Sequence, residues 1–254
     1  MNKGAFLANG IDSDGKEVMV FNGGFNSMNE TLFSYAKEQG ILEESSTKKY
    51  KLGTRLVIGE RVFRYAQAGA AAIAPGELLQ SAVNGGSATL QTGLTIATAS
   101  AVGDAFGYAT VGTDTIAADL FADGWYLVTD GTEAQGRGMM YKIKSHPASA
   151  HATTKFTFYD AIPRLISTSA KATLIANLYK GVIQAPVSTA TGMAVGIAPR
   201  SVQASYYFWL QTWGPANALV KTAVTTVGGA TLIRDVAAAG SVCPQVAGAG
   251  CLYK

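Results

Sequence analysis

The sequence predicts a mainly β fold, a sandwich or barrel-like body of short strands preceded by an N-terminal hairpin-plus-helix arm. Three observations carry this. The 254 residues include 29 glycines against 7 prolines, and Thr, Val and aromatic residues recur in short runs, a mixture that favours many turns joining short strands. Alternating apolar and polar segments come up every ten to fifteen residues, the spacing of a strand plus its turn. Only one capping box precedes a helical stripe.

Residues 1–25 form the first expected hairpin, with Asp12-Ser13-Asp14-Gly15 as the turn before Glu17-Val18-Met19-Val20-Phe21, because Asp-Gly favours tight turns. Asp12 and Asp14 lack the downstream acidic ligands of a calcium loop, so they are assigned to the turn and no metal is expected. Ser27-Met28-Asn29-Glu30 is the capping box, in which hydroxyl and carboxylate each satisfy an orphan backbone N–H. A helix over 28–39 follows, with Met28, Leu32, Tyr35 and Ala36 on one face and Gly40 as its stop. The polar run Glu43 to Lys49 then reads as a linker, making residues 1–50 either an arm that docks elsewhere or a helix folded back over its own sheet. A body with independent stability is expected from residue 51 onward.

That body, 51–254, opens with Leu56-Val57-Ile58 and Val62-Phe63-Arg64-Tyr65 on either side of Gly59-Glu60-Arg61, a hairpin with Val62 and Arg64 on one face and Phe63 and Tyr65 on the other, one face core and the other partly wet. The alanine-rich 66–72 segment lacks bulk and is expected to pack closely against another backbone before Pro75-Gly76 turns the chain. Small-residue strands are expected between Val83 and Thr115, with a possible division into two subdomains near 110–120. A second hairpin with a long tip is expected from Phe121-Thr129, the 130–138 loop and Met139-Ile143, then a strand over Thr154–Tyr159. Ser205 to Trp213 is apolar on both faces, so its strand is central or sits in an interface. Tyr207, Trp209 and Trp213 share a face there, as core or, in a sharper reading, as a sugar-stacking surface. Residues 237–254 are a Gly/Ala-rich tail.

Several functions lose support at this level. Twenty Lys+Arg against seventeen Asp+Glu give a net charge of +3 with 15% charged residues and no basic block, so no direct nucleic-acid binding is expected. No stretch approaches the ~18 apolar residues of a membrane helix, nor does the N-terminus fit a signal peptide, so no membrane partner is expected and synthesis in a cytoplasm is. In a reducing compartment Cys243 and Cys251 are expected as thiols. His146 and His151, flanking a Pro-Ala-Ser-Ala loop, are expected as exposed loop histidines rather than metal ligands. Nucleophile-elbow, phosphate-loop and metalloprotease signatures are missing. Asp104, Asp114, Asp119, Asp123, Asp130 and Asp160 all adjoin turn residues and are assigned to Asx-type turn bonding, with a carboxylate hydrolase the outlying alternative. Neither enzymatic activity nor a cofactor is expected.

Longer landmarks add a resemblance. Gly53-Thr54-Arg55 followed by GERVFRYAQAGA and a Pro-Gly turn with ELLQS, then FADGWYLVTDGTEAQGRGMMYKI, FTFYDAIP, LIANLYKGVI and YYFWLQTWGPANAL, resemble the capsid decoration, or cement, proteins of tailed bacteriophages. The resemblance runs from Tyr50 to about Val236. It implies a structural protein made in the host bacterial cytoplasm and placed on the capsid exterior, with the major capsid protein and copies of itself as partners, a trimer before a monomer. Met28, Leu32, Tyr35, Tyr207, Trp209 and Trp213 are the candidate interface residues. Another virion surface component, a head fibre or tail-associated protein, and a glycan-binding module are the alternatives.

Overall fold

The computed structural model describes the backbone of residues 6–11 and 17–22, and residues 39–83, 88–111, 115–187, 189–221 and 231–245 in full. The chain is mainly β, and it divides into two compact units. Unit 1 comprises residues 1–82 and 179–254, and unit 2, inserted between them, residues 83–178. The division therefore falls at two points flanking an insertion, not at a single point near 110–120.

Unit 1 begins with β1 (Phe6–Ile11) and β2 (Glu17–Asn22), an antiparallel pair from Phe6↔Asn22 to Ile11↔Glu17, as the Asp-Gly signal predicts. The turn itself, with Asp12 and Asp14, and all but Gln39 of the helix expected over 28–39, with Met28, Leu32 and Tyr35, lie outside the described residues. The polar run is not a bare linker, because it supplies β3 (Glu44–Ser45). Next come β4 (Arg55–Ile58), β5 (Arg61–Gln67) and β6 (Leu78–Gln80). Arg55↔Arg64 through Ile58↔Arg61 fix the β4–β5 register. The two-residue Gly59-Glu60 connection has positive φ only at its first position, Gly59 at 60°, the II′ pattern whose twist suits a hairpin.

Unit 2 contributes β7 (Leu90–Thr95), β8 (Phe106–Thr110), β9 (Thr115–Ile116), β10 (Trp125–Val128), β11 (Met140–Ser145), β12 (Ser149–Ala150), β13 (Thr153–Phe158) and β14 (Lys171–Ile175). Six of these close an antiparallel barrel in the order β10-β11-β13-β8-β7-β14, while β9 and β12 form a separate ribbon. Closure removes the free sheet edges that an open sheet would expose. The β10–β11 hairpin has the expected long tip, tightened by a 3₁₀ turn over Glu133–Gln135. Inward positions fill the barrel with one cluster that includes Phe121, Tyr126, Ile143, Phe156, Phe158 and Leu174. Outward positions alternate with them, as the two-residue period of a strand requires.

The chain returns to unit 1 with β15 (Ile183–Gln184), β16 (Ala194–Ile197), β17 (Tyr207–Trp213), β18 (Leu232–Arg234) and β19 (Val242–Pro244). A seven-stranded sheet runs β15-β6-β16-β17-β5-β4, with β3 also on β17. β17 is central, flanked by β5 along one edge and by β3 and β16 on the other. It is apolar on both faces because both are covered: Phe208 and Leu210 join Ala66, Ala68 and Leu79 on one side, while Trp209 joins Tyr50, Leu52, Leu56, Phe63 and Tyr65 on the other. The alanine-rich segment is no helix. Ala68 bridges Val182, and a Cβ on Gly69 would meet Ile183 Cγ2 at 2.8 Å, the close backbone approach that its lack of bulk predicts.

Two further expectations are corrected. His146 is buried, because both ring nitrogens are used: Nε2 accepts the Phe121 N–H at 2.9 Å, which places the proton on Nδ1 for donation to Pro147 O at 2.8 Å. His151 is exposed as expected. Cys243 is fully buried and disulfide-bonded rather than a thiol. The other cysteine of the sequence, Cys251, follows eight residues later, outside the described residues.

Candidate interface on the end of the unit 1 sheet

The three candidate residues on β17 have different fates. Trp209 has no exposed surface and packs against Tyr50 and Tyr65 at ring-centroid distances of 5.2 and 5.1 Å. Its indole N–H donates to Gln39 O at 2.9 Å. The Gln39 side chain accepts from the Tyr65 hydroxyl at 2.6 Å and donates to Tyr207 O at 2.8 Å, so the polar groups of Trp209 and Tyr65 both have partners. Tyr207 is half-buried and stacks on Tyr65 with an interplanar angle of 7°. Trp209 and Tyr207 are therefore structural, and residues 39–50, expected to be separable, are part of the unit 1 body through Gln39, β3 and Tyr50.

Trp213 is 74% exposed. A bulge between Gln211 and Trp213 shifts the register, which takes Trp213 out of step with Trp209 and prevents the shared platform that sugar stacking would need. The bulge is pinned by the Gln211 amide donating to Trp213 O and Pro215 O, and by Thr212 Oγ1 donating to Val62 O. Gly214 follows with φ 85°, where a Cβ would meet Glu60 O at 2.5 Å. Glycine is thus required both for the backbone angle and for the space.

Register places Trp213 opposite Val62, Val62 opposite Val57, and Arg64 opposite Arg55. These five side chains share one face at the end of the sheet, and β4 is its terminal strand. Arg55 is exposed and Arg64 half-buried, its guanidinium donating to Gly53 O at 2.8 Å. An exposed Trp beside valines and two arginines is the composition of an interface centre, where Trp and Arg dominate binding energy. The alternation of the β4–β5 hairpin makes this face legible in sequence. The bulge that exposes Trp213 leaves no sequence signal beyond Gly214-Pro215.

The turn aspartates serve as bonding groups. Asp104 accepts Ala101 N–H and Asp130 accepts Gly131 N–H locally. Asp119 instead accepts His146 N–H, and the buried Asp123 accepts the Tyr159 hydroxyl at 2.8 Å while its carbonyl receives Asn177 Nδ2. Burial and then the Asp123 carboxylate push the Tyr159 hydroxyl well above its ordinary range. These groups tie the turn before β10 to the wall of the barrel. Asp160 is exposed and Asp114 lies outside the described residues. Among the described residues no three His, Cys, Asp or Glu side chains are placed to hold a metal ion, and no helix is long and apolar enough to cross a membrane.

Comparison with protein-family models, with curated proteins and with solved structures finds no match.

Proposed function

We propose that this chain is a virion structural protein that binds the outside of a bacteriophage capsid and cements or decorates the shell. It works as a small homo-oligomer, trimer before monomer, with the major capsid protein and its own copies as partners. The observation that carries this is the face made by Trp213, Val62, Val57, Arg55 and Arg64 at the end of a rigid sheet. One such patch on each subunit is weak alone, but linked subunits engaging neighbouring shell proteins together gain affinity with no new contact. The resemblance to decoration proteins supports the same reading, since its landmarks include β5, β6, β10 and β17 and parts of β4, β11, β13 and β14. A disulfide at Cys243 suits a protein whose working life is spent outside a reducing cytoplasm.

The test mixes purified protein with shells lacking it and examines the shells by electron microscopy. Regular added density at symmetry-related positions on the exterior is the expected result. Protein found only at the portal, tail or fibres rejects decoration.

A further inference from the structure

The charges of unit 2 are sorted in a way that its composition conceals. Every charged residue on a barrel strand is a lysine: Lys142 and Lys144 on β11, Lys155 on β13 and Lys171 on β14. The acids of this unit among the described residues lie in the connections between strands. Three of the lysines share a continuous part of the outer wall with three aromatic rings. Trp125 is opposite Lys142, and Lys155 is opposite Tyr108. Lys142 Nζ lies 4.5 Å from the Trp125 ring centre and Lys155 Nζ 3.9 Å from that of Phe106, which in turn meets Tyr108 edge-on at 5.6 Å. Lys144 and Lys155 are exposed, Trp125 is 36% exposed, and Lys142, Phe106 and Tyr108 are half-buried. The strip thus crosses four hydrogen-bonded strands, β10-β11-β13-β8, without an acidic side chain on any of them.

We infer that this wall of the barrel is a binding surface for single-stranded nucleic acid, with Lys142, Lys144 and Lys155 meeting phosphates and Trp125, Phe106 and Tyr108 meeting bases. Lysine is depleted at the centres of protein–protein interfaces, which argues against a protein partner. As a compact, strongly hydrated point charge it serves phosphate, whereas a planar carboxylate favours the arginine fork. Three cations and three rings on one wall also suit a nucleotide chain, which brings one base with each phosphate, and Lys144 stands exposed where the β11–β13 register shifts between Ile143 and Ser145. Stacking requires the lysines to swing off their rings. An exposed cation–π pair is worth only about two- to fivefold in an equilibrium, while stacking one base is worth about five- to 150-fold, so the exchange is favourable. The whole-chain charge of +3 averages over this segregation and carries no information about it. The inference does not depend on how the chain docks to a shell.

The test titrates the full chain into a labelled oligothymidine of about 15 nucleotides and follows anisotropy at low and moderate salt. Binding is expected, with log K falling against log salt at a slope of about −2 for three phosphates. Trp125→Ala is expected to weaken it about tenfold and Lys142→Glu with Lys155→Glu by more, with thermal midpoints unchanged, whereas Lys171→Ala, outside the strip, leaves it intact. No binding at about 50 mM salt, or binding indifferent to the Lys142→Glu and Lys155→Glu pair, overturns the inference. So does equal affinity for polyglutamate, which assigns the wall to an acidic protein, or for a sulfated polysaccharide, which assigns it to a glycan.

Discussion

Trp213 and Trp125 are both exposed tryptophans beside cations, but their surroundings differ in kind. Around Trp213 the cations are Arg55 and Arg64, one of them bound to a backbone carbonyl, and the neighbours are valines. Around Trp125 the cation is a lysine over the ring, and the wall beyond carries more lysines and no acid. Arginine with tryptophan and branched aliphatics makes a surface that tolerates full desolvation by another protein. A lysine wall holds on to its water and works by charge. The two units of one chain therefore carry surfaces of different chemistry, and the comparison can be broken by variants that treat them separately.

The supports of the two surfaces differ as well. In unit 1 the aromatic cluster beneath β17 draws on residues far away in sequence, because Gln39 and Tyr50 complete it. Deleting residues 1–50 is expected to destabilise unit 1 by more than about 4 kcal/mol relative to deleting residues 1–38. The longer deletion strips the partners from Trp209 Nε1, the Tyr65 hydroxyl and Tyr207 O, at about 1–3 kcal/mol per orphaned buried group, and removes the packing of Tyr50. Denaturant midpoints of the two truncations decide this, and equal midpoints mean that the 39–50 segment is dispensable.

In unit 2 the corresponding support is His146, which holds the turn before β10. His146→Phe keeps the ring between Phe121 and Phe156, whose centroids lie 6.0 and 5.0 Å away, but leaves the Phe121 N–H without its acceptor. A loss of about 1–3 kcal/mol is expected. If chemical denaturation shows His146→Phe to be as stable as the parent, the histidine is filling space rather than bonding.

Much of the architecture is legible in the sequence, and the failures share a cause. The hairpins β1–β2, β4–β5 and β10–β11 follow from turn residues and alternation, which are local. His146, Trp209, Cys243 and the 43–49 run are not legible locally because their environments come from distant segments. The polar look of Glu44 hides a β3–β17 pairing and an ion pair with Arg200 at 3.3 Å. A Pro-Ala-Ser-Ala loop likewise suggests exposure, although Phe121 and Phe156 close over the histidine beside it. Of the candidate interface, the β5 face was readable from its period. The exposure of Trp213 and the lysine wall were not, since one needs a bulge and the other needs barrel closure.

A smaller effect separates the two halves of unit 1 itself. Asp235 has no exposed surface. Burial raises its pKa, but bonds from Ala237 N–H, the Ser241 hydroxyl and Ala238 N–H, with Lys221 Nζ at 3.6 Å, outweigh this and leave the carboxyl below its ordinary range. A group whose folded value is depressed adds stability above its unfolded value near 3.8, and that stability is lost as pH falls through the lower folded value. Asp235→Asn is therefore expected to be less stable than the parent near neutrality, with the gap closing as the pH drops below about 4. A gap independent of pH means that shape rather than charge holds the 235–241 turn.

The smallest effect on stability is expected at the residue with the largest expected effect on docking. Trp213 is exposed, its bulge is held by backbone and amide bonds that do not involve its ring, and surface substitutions of this kind change stability by no more than about 0.5 kcal/mol. Trp213→Ser should therefore melt with the parent while attaching to shells at least about tenfold more weakly, the loss expected when a central interface tryptophan is truncated. Trp125→Ser, a substitution on the barrel wall at a residue 36% exposed, should leave shell attachment unchanged. Measuring both variants by co-sedimentation with shells sets the two surfaces directly against each other. If Trp125→Ser abolishes attachment and Trp213→Ser does not, the docking face belongs to the barrel and the assignment of partners to the two units is reversed.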